Sequence, residues 1–350
     1  MLKLIWIRNF LNWGDNMNVG VIGLGSMGKR RIRLIKENFP EVSIVGIDNS
    51  EERCGEVKSL FNISVFNDSD EFFAQNDFDA VFISTPPLTH SKLINRALNS
   101  NLNVFTEINL VSDCYDENMR LADEVEKVLF LSSTQLYRKE IEYINSKVTQ
   151  SDKITNYIYH IGNYLQDWHP WESYKNFFVG NKKTNGCREI LAIELPWIVN
   201  VFGDISKIHV AKNKITDLEI DYPDSFFVTL VHKNGSNGVL IVDLASRNAV
   251  RNLEIINEDI YLSWDGTPQG FKEFDFDLEE MKELNLYDEI SKEADYNQTI
   301  VENAYLEEIK NFFNVLNSID EPLHSFEKDK YVLKMIDIIE NIDNSEVYEV

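Results

Sequence analysis

The sequence is poor in cysteine and lacks long apolar runs. Its three cysteines, Cys54, Cys114 and Cys187, lie far apart and form no Cys-x-x-Cys pair. This disfavours a disulfide framework or a structural zinc site, so we expect no metal and a reducing, cytoplasmic location. No uninterrupted apolar run approaches the ~20 residues that a membrane-spanning helix needs, and no membrane partner is expected.

Positive charge is also scarce. The 34 Lys and Arg residues are outnumbered by 58 Asp and Glu, which gives a formal net charge of −24. Nucleic-acid affinity comes mainly from cationic side chains on phosphates, so this balance disfavours a nucleic-acid partner. A phosphorylated small molecule stays compatible with it, because a helix N-terminus can make a pocket locally positive.

Periodicity divides the chain into three parts. Residues 1–16 are apolar but interrupted by Lys3 and Arg8, and we expect a non-native or disordered N-terminal extension or, alternatively, a genuine N-terminal arm. Residues 17–137 alternate apolar runs with amphipathic stretches, which predicts a doubly wound, parallel α/β Rossmann domain. In residues 138–350, strands joined by Asn/Gly turns predict an α+β domain with a large, mainly antiparallel open sheet.

A glycine-rich segment, "VGVIGLGSMGKRRI", follows the first predicted strand and opens the first predicted helix. In its G-x-G-x-x-G pattern, the first glycine permits a tight turn, the second lets a pyrophosphate approach the backbone, and the third allows close helix–strand packing. The helix N-terminus adds N–H donors and the positive end of its dipole. The segment predicts a dinucleotide site at Gly23, Gly25, Ser26, Met27 and Gly28.

The second predicted strand ends at Asp48, followed by Asn49. A carboxylate at this position accepts hydrogen bonds from the ribose hydroxyls and repels a 2′-phosphate, so we expect NAD and consider NADP less favoured. Arg53 is an opposing signal, because its guanidinium could reach a 2′-phosphate.

A dense aromatic and polar stretch, "GNYLQDWHPWESY", follows the first strand of the second domain. Aromatic faces beside Asp, His and Gln side chains suit a sugar, whose C–H faces stack on rings and whose hydroxyls need polar partners. We therefore expect substrate contacts from Asp167, Trp168 and Trp171, and proton transfer from His169 or Tyr174. The alternative is a structural aromatic corner in which His169 fixes a turn.

The predicted helix in "NGCREILAIELPWIVNVFG" carries three further candidates. Arg188 is unfavourable in a first helical turn, which hints at a partner such as a substrate carboxylate or phosphate. Glu189 suits that turn through the helix dipole alone, yet it is also a candidate catalytic acid/base. Glu194 lies in an apolar run, so its carboxylate is either paired or has a raised pKa.

Two more segments point to a family. The fourth strand, "VFISTPPLTH", carries Thr85, Pro86 and His90, and the fifth ends at "FTEINL". With the glycine loop and the antiparallel second domain, they resemble the Gfo/Idh/MocA oxidoreductases over roughly residues 17–345. The resemblance implies cofactor contacts from Thr85, Pro86, His90, Glu107 and Asn109. It also implies that residues 138–350 form a substrate-binding and oligomerisation domain, in a homodimer or homotetramer. The implied activity is hydride transfer between NAD(P) and a small-molecule sugar, nucleotide sugar or polyol.

The sequence departs from the family at its Glu-Lys-Pro motif. It has Glu107-Ile108-Asn109 there, so the lysine that serves or supports acid/base catalysis is missing. The family's Asp-x-Gly-x-His segment also departs: its Asp position falls on Glu189 and its His position on Ile193, or on Glu194 if the alignment slips by one residue.

Two interpretations remain open. In the first, the chain keeps hydride chemistry and moves the proton through Glu189, Glu194 or the loop that contains His169 and Tyr174. In the second, it binds NAD and a sugar-like ligand without net redox turnover, as an NAD-dependent lyase or glycosidase or as a regulatory binding protein.

Overall fold

The computed structural model describes residues 17–75, 77–168, 173–291 and 299–350, and these form two compact units. The N-terminal domain comprises the described residues up to Asn109, then Asp113–Ser132 and Ile309–Phe326. The C-terminal domain comprises Leu110–Ser112, Ser133–Glu308 and Glu327–Val350. The main change of domain thus falls at Ser132, a few residues before the predicted boundary at 137.

The N-terminal domain contains a parallel sheet of six strands in the order β3-β2-β1-β4-β5-β6. The strands are β1 (Asn18–Ile22), β2 (Ser43–Ile47), β3 (Ser64–Phe66), β4 (Ala80–Ile83), β5 (Asn103–Thr106) and β6 (Leu129–Leu131). The helices are α1 (Ser26–Asn38), α2 (Glu51–Phe61), α3 (Ser69–Phe73), α4 (His90–Asn99) and α5 (Tyr115–Glu124). The doubly wound prediction is confirmed, and the strand order reverses between β1 and β4, the usual ligand position in such sheets.

A late helix completes the core of this domain. Helix α8 (Glu302–Leu316) begins in the C-terminal domain and ends in the N-terminal one. There the Phe312 ring packs edge-on against Phe82 and Phe105, with centroid separations of 5.3 and 5.4 Å. Local periodicity predicts such a helix but not the residues on which it packs. The helix was therefore predicted to lie wholly in the second domain.

The C-terminal domain contains a nine-stranded sheet in the order β14-β13-β12-β11-β7-β10-β9-β8-β15. Its helices are α6 (Lys139–Gln150), α7 (Gly186–Phe202) and α9 (Phe326–Asn341). Its strands are β7 (Asn156–Gly162), β8 (Ile205–Asn213), β9 (Ser225–His232), β10 (Asn237–Asp243), β11 (Val250–Ile256), β12 (Tyr261–Trp264), β13 (Lys272–Asp275), β14 (Glu280–Glu283) and β15 (Val347–Glu349). The predicted mainly antiparallel sheet is confirmed, and its parallel pair is β7 with β10.

Helix α7 covers one face of this sheet. Tyr157 of β7 stacks on Phe202 at 4.3 Å between ring centroids, and Tyr159 meets Trp197 at 5.5 Å. Because strand side chains alternate between faces, Ile158 lies on the opposite face and is 47% exposed. Register therefore fixes which residues of β7 contact the helix.

Candidate functional site

The three loop glycines are needed for different physical reasons. Gly23 has φ +93°, and a Cβ there would lie 2.6 Å from the carbonyl oxygen of Ser84. A Cβ on Gly28 would lie 1.9 Å from the carbonyl oxygen of Gly23. A Cβ on Gly25 would meet no described atom within 4 Å. The fold thus requires Gly23 and Gly28, whereas the space beside Gly25 fits a group that approaches the backbone closely.

Helix α1 begins at this open position. Gly25 is its N-cap and provides no side-chain cap, so the positive end of the helix dipole is not covered by a capping side chain. Ser26 is exposed and Met27 is half-buried. The predicted pyrophosphate site is therefore a helix N-terminus at the end of β1, with space beside it.

Asp48, at the end of β2, supports the glycine loop from the other side. Its Oδ2 accepts a hydrogen bond of 2.8 Å from the backbone N of Leu24, and its Oδ1 accepts one of 2.9 Å from Ser50 N. The Arg53 guanidinium lies 3.7 Å from Oδ2. Asn49 is exposed. Asp48 is thus positioned beside the loop, where the sequence predicts the ribose contact.

The residues after β4 form a second part of this edge. Thr85 is half-buried, and its hydroxyl lies 2.7 Å from that of Thr89. Pro86 is exposed, and its carbonyl accepts a 2.7 Å hydrogen bond from the Thr89 hydroxyl. His90 is buried between the Thr85 carbonyl and the Asn109 amide, at 2.7 Å from each. Burial lowers the pKa of His90, although both hydrogen bonds and the Glu107 charge oppose the shift.

Glu107 is paired inside the N-terminal domain. Its Oε1 accepts from Arg31 Nε at 2.7 Å and its Oε2 from Arg31 Nη2 at 3.0 Å. Both side chains are buried, and the guanidinium lies 4.5 Å from the centroid of the Phe105 ring. The sequence did not predict this partner, although "GKRRI" on an otherwise apolar helix face is a usable signal. Glu107 therefore holds α1 against the end of β5.

In the C-terminal domain, Glu189 lies in the first turn of α7. Asn185 caps this helix by accepting a 2.8 Å hydrogen bond from Arg188 N. Glu189 is half-buried, but its Oε2 is shielded from solvent and has no hydrogen-bond partner among the described residues. Burial raises the pKa of its carboxyl to about 8. Such a group can hold or release a proton near neutral pH.

The other two charged residues of α7, Arg188 and Glu194, are both paired within the C-terminal domain. Arg188 donates to the Leu110 carbonyl and to Asp337 at 2.6 Å each, and it also pairs with Glu340. The partner inferred from its unfavourable position is thus found within the domain.

Glu194 accepts 2.8 Å hydrogen bonds from the Tyr159 hydroxyl and Trp197 Nε1. Arg251 of β11 lies 2.8 Å from its other oxygen. Of the two alternatives for this carboxylate, the structure shows the paired one, and its partner Arg251 could not be recognised from local sequence.

The aromatic loop is described in part, because His169 and Trp171 lie outside the described residues. Asp167 is exposed, and Trp168 is half-buried with Nε1 donating to the Asn163 carbonyl at 3.1 Å. The Tyr174 hydroxyl accepts a 3.0 Å hydrogen bond from Glu219 N. Their predicted roles in catalysis and substrate binding stay predictions.

A further polar pair joins the neighbouring strands β7 and β10. His160 Nε2 lies 2.7 Å from Asp243 Oδ2, on the face of the sheet opposite α7. A Cβ on Gly162 would lie 2.4 Å from that carboxylate oxygen, so this glycine leaves room for Asp243. Burial alone would raise the pKa of Asp243, but hydrogen bonds from His160, Ala245 and Ser246 bring it below its usual range.

Within the described ranges, no helix is long and apolar enough to cross a membrane. The same part of the chain contains no group of three or more His, Cys, Asp or Glu side chains placed to hold a metal ion.

Comparison with known proteins agrees with this geometry. Residues 17–132 match the sequence model of the Gfo/Idh/MocA oxidoreductase family, NAD-binding Rossmann fold. A 140-residue stretch is 26% identical to 4-carboxy-2-hydroxymuconate-6-semialdehyde dehydrogenase from Sphingobium sp., covering 39% of this chain. The match spans 44% of the length of that curated relative, which is less than half.

Solved structures match over nearly the whole chain. An oxidoreductase from Agrobacterium radiobacter, in complex with NAD+, L-tartaric acid and magnesium, superposes with a TM-score of 0.78 at 13% identity, covering 95% of this chain and 98% of that one. The WlbA dehydrogenase from Bordetella pertussis, in complex with NADH and UDP-GlcNAcA, has a TM-score of 0.77 at 14% identity, with 96% and 99% covered. The N-terminal domain therefore matches the NAD-binding domain of the Gfo/Idh/MocA oxidoreductase family, and the chain shares its fold with these solved structures.

Proposed function

We propose that this protein is an NAD-dependent dehydrogenase that oxidises a CH–OH group of a sugar, nucleotide sugar or polyol. The observation that carries the proposal is the start of α1, where Gly25 leaves open space beside an N-terminus that has no side-chain cap. That geometry suits the pyrophosphate of a dinucleotide. NAD, when bound, would supply the hydride acceptor.

NAD is preferred to NADP because of Asp48. Its carboxylate is fixed by the Leu24 and Ser50 amides beside the loop, at the end of β2. A fixed negative charge there accepts hydrogen bonds from ribose hydroxyls and repels a 2′-phosphate. Arg53, at 3.7 Å, partly neutralises that charge, so the expected preference is moderate.

Glu189 is proposed as the group that receives the substrate's hydroxyl proton. The Glu189 carboxylate would take the hydroxyl proton as the alcohol is oxidised to a carbonyl, and bound NAD would supply the acceptor for the hydride that leaves the carbon. A base with a pKa of about 8 is close to the operating pH, which favours proton transfer in both directions. Ile108 has no group that could take this proton, whereas the family resemblance, counted without gaps, aligns Glu189 with the family's Asp.

A sugar-like substrate is supported by two observations. The segment with Asp167, Trp168 and Tyr174 offers aromatic faces beside polar groups, which suits sugars. Among proteins of the same fold, the WlbA dehydrogenase was crystallised with a nucleotide sugar. The homodimer or homotetramer and the cytoplasmic location stay predictions, and the exposed Ile158 and Phe227 on one sheet face support the former.

The second candidate function is NAD-dependent chemistry without net redox turnover. It is favoured by Ile108, an alkyl side chain where the family keeps a lysine. In that case product forms from a sugar while no net NADH accumulates.

Cofactor binding is tested by titrating NAD into the wild type and Gly25→Ala by calorimetry. We expect Gly25→Ala to keep the fold and to weaken NAD at least about tenfold, because its methyl group occupies the open space. The matched control is Gly55→Ala in α2, where a Cβ also meets nothing within 4 Å. Equal NAD affinity in all three proteins would show that the dinucleotide does not bind beside Gly25.

Turnover is tested by incubating the protein with NAD and a panel of sugars, nucleotide sugars and polyols. The first function predicts NADH absorbance with at least one of them. Product without NADH supports the second function, and NAD binding with no product supports a regulatory binding protein.

A further inference from the structure

Asn109 has an unusual environment at the end of β5. Its side chain is 2% exposed, and one side-chain atom lies 2.7 Å from His90 Nδ1. The other polar atom of the same amide is buried and has no hydrogen-bond partner among the described residues. Leaving a buried amide atom unpaired is costly, so a group that satisfies it on binding is favoured.

The His90 ring decides which amide atom this is. His90 Nε2 lies 2.7 Å from the carbonyl oxygen of Thr85, and a carbonyl only accepts, so Nε2 must carry the proton. Burial lowers the pKa of His90, so the ring is neutral near neutral pH and Nδ1 has a lone pair. That lone pair needs a donor. The Asn109 amide must therefore turn its NH2 group towards Nδ1. This exchange of the amide oxygen and nitrogen leaves the shape of the side chain unchanged. The carbonyl Oδ1 then takes the unpartnered position.

The position of Oδ1 indicates what it would bind. Ile83 of β4 pairs with Thr106 of β5, so the Thr85 and Asn109 segments leave the sheet side by side at its C-terminal edge. The glycine loop and Asp48 occupy the β1–β2 half of that edge, which suits the pyrophosphate and the adenosine ribose. The two halves of such a sheet each take one nucleotide, so the nicotinamide nucleotide belongs to the β4–β5 half.

We propose that Asn109 Oδ1 accepts an N–H of the nicotinamide carboxamide, held in place by neutral His90, and thereby selects the amide form of the cofactor. The inference rests on the proposed NAD-dependent function and deepens it. A lone acceptor discriminates against a carboxylate in place of the carboxamide, because that group offers no N–H and brings a negative oxygen towards Oδ1.

The test compares three probes by calorimetry on the full chain: NAD, nicotinic acid adenine dinucleotide and ADP-ribose. The wild type should bind NAD about ten- to hundredfold more tightly than the carboxylate analogue. In Asn109→Leu, which keeps the size of the side chain, that ratio should fall to about one while ADP-ribose affinity stays unchanged. Equal wild-type affinities for the two dinucleotides would overturn the proposal.

Failure of the inference and failure of the proposed function give different results. If NAD and ADP-ribose both fail to bind the wild type, the dinucleotide function itself is wrong. If ADP-ribose binds but the carboxamide confers no advantage, only the role of Asn109 is wrong. The matched variant Asn95→Leu, on the half-buried face of α4, should leave all three affinities unchanged.

A second measurement does not depend on any variant. Nitrogen NMR of histidine-labelled wild-type protein reports which ring nitrogen carries the proton. The proposal expects the neutral form of His90 with the proton on Nε2. A doubly protonated ring near neutral pH, or a proton on Nδ1, would place an N–H against Asn109 and contradict the assigned Oδ1 acceptor.

Discussion

Each domain has a carboxylate with a buried oxygen near its candidate site, and the two carboxylates differ in their partners. Glu107 of the N-terminal domain receives two hydrogen bonds from Arg31, at 2.7 and 3.0 Å. Glu189 of the C-terminal domain has a buried oxygen without a partner among the described residues, and burial raises the pKa of its carboxyl to about 8. A paired carboxylate fixes structure, whereas an unpaired one is suited to moving a proton.

From the sequence, Glu107 was predicted as a cofactor contact and Glu189 as a candidate acid/base, although Glu189 also has an ordinary explanation in the helix dipole. The difference shows that a carboxylate's role depends on its neighbours as well as its position in a motif.

The largest effect is expected for Glu189→Gln. Removing a general base costs about 10²- to 10⁴-fold in rate, and we expect kcat for NADH formation to fall in that range. The control is NAD affinity, which should not change. A variant that retains more than about a third of wild-type kcat would exclude Glu189 as the proton acceptor.

Glu107→Ala should mainly affect stability. It removes the carboxylate that accepts two hydrogen bonds from the buried Arg31 guanidinium, which costs about 3–5 kcal/mol in the free energy of unfolding, measured by urea denaturation. The double variant Arg31→Met with Glu107→Leu should recover most of this loss, because both charges are removed. If the single and double variants are equally unstable, charge pairing is not the cause.

The same contrast predicts how stability depends on pH. The pKa of Glu189 is about 8 in the folded protein and ~4.3 when unfolded, so between these values the folded state holds a proton that the unfolded state lacks. Its contribution to stability is therefore present at low pH and lost as pH rises towards about 8. Glu189→Gln has no carboxyl to titrate, so its stability does not fall in this way. The free energy of unfolding of the variant minus that of the wild type should therefore increase by at least ~1 kcal/mol from about pH 5 to about pH 8. A constant difference would show that Glu189 is already ionised at pH 5.

The smallest effect is expected for Ile108→Lys, which restores the family's lysine. If Glu189 already serves as the base, kcat should change by less than about tenfold. A larger gain, above all on simple polyols, would show that the missing lysine limits turnover. NAD affinity should remain the same.

Much of the N-terminal domain could be predicted from sequence because its signals are local. The G-x-G-x-x-G spacing places three glycines in one turn. The structure needs Gly28 for a contact within that turn and Gly23 for its positive φ and its approach to the Ser84 carbonyl. Alternating apolar runs likewise predict buried parallel strands. The partner of Glu107 was missed because Arg31 approaches it only when α1 folds over β5.

The C-terminal domain was harder because its contacts link distant segments. Arg188 on α7 pairs with Asp337 and Glu340 on α9. Glu194, also on α7, pairs with Arg251 on β11. Alternating apolar and polar residues predicted the strands, but this pattern could not predict that β7 pairs in parallel with β10. Residue type and spacing therefore identified candidates such as Glu189, while their roles depend on neighbours that only the fold brings together.

Proton transfer to Glu189 should appear in the pH dependence of kcat/KM for NADH formation. This is measured on the wild type from about pH 6 to about pH 9, with the best sugar-like substrate of the panel. We expect kcat/KM to rise with pH through about 8, the pKa of the Glu189 carboxyl, and we expect no such rise in the residual activity of Glu189→Gln. A profile that is flat across this range, or identical in the two proteins, would contradict proton transfer to Glu189.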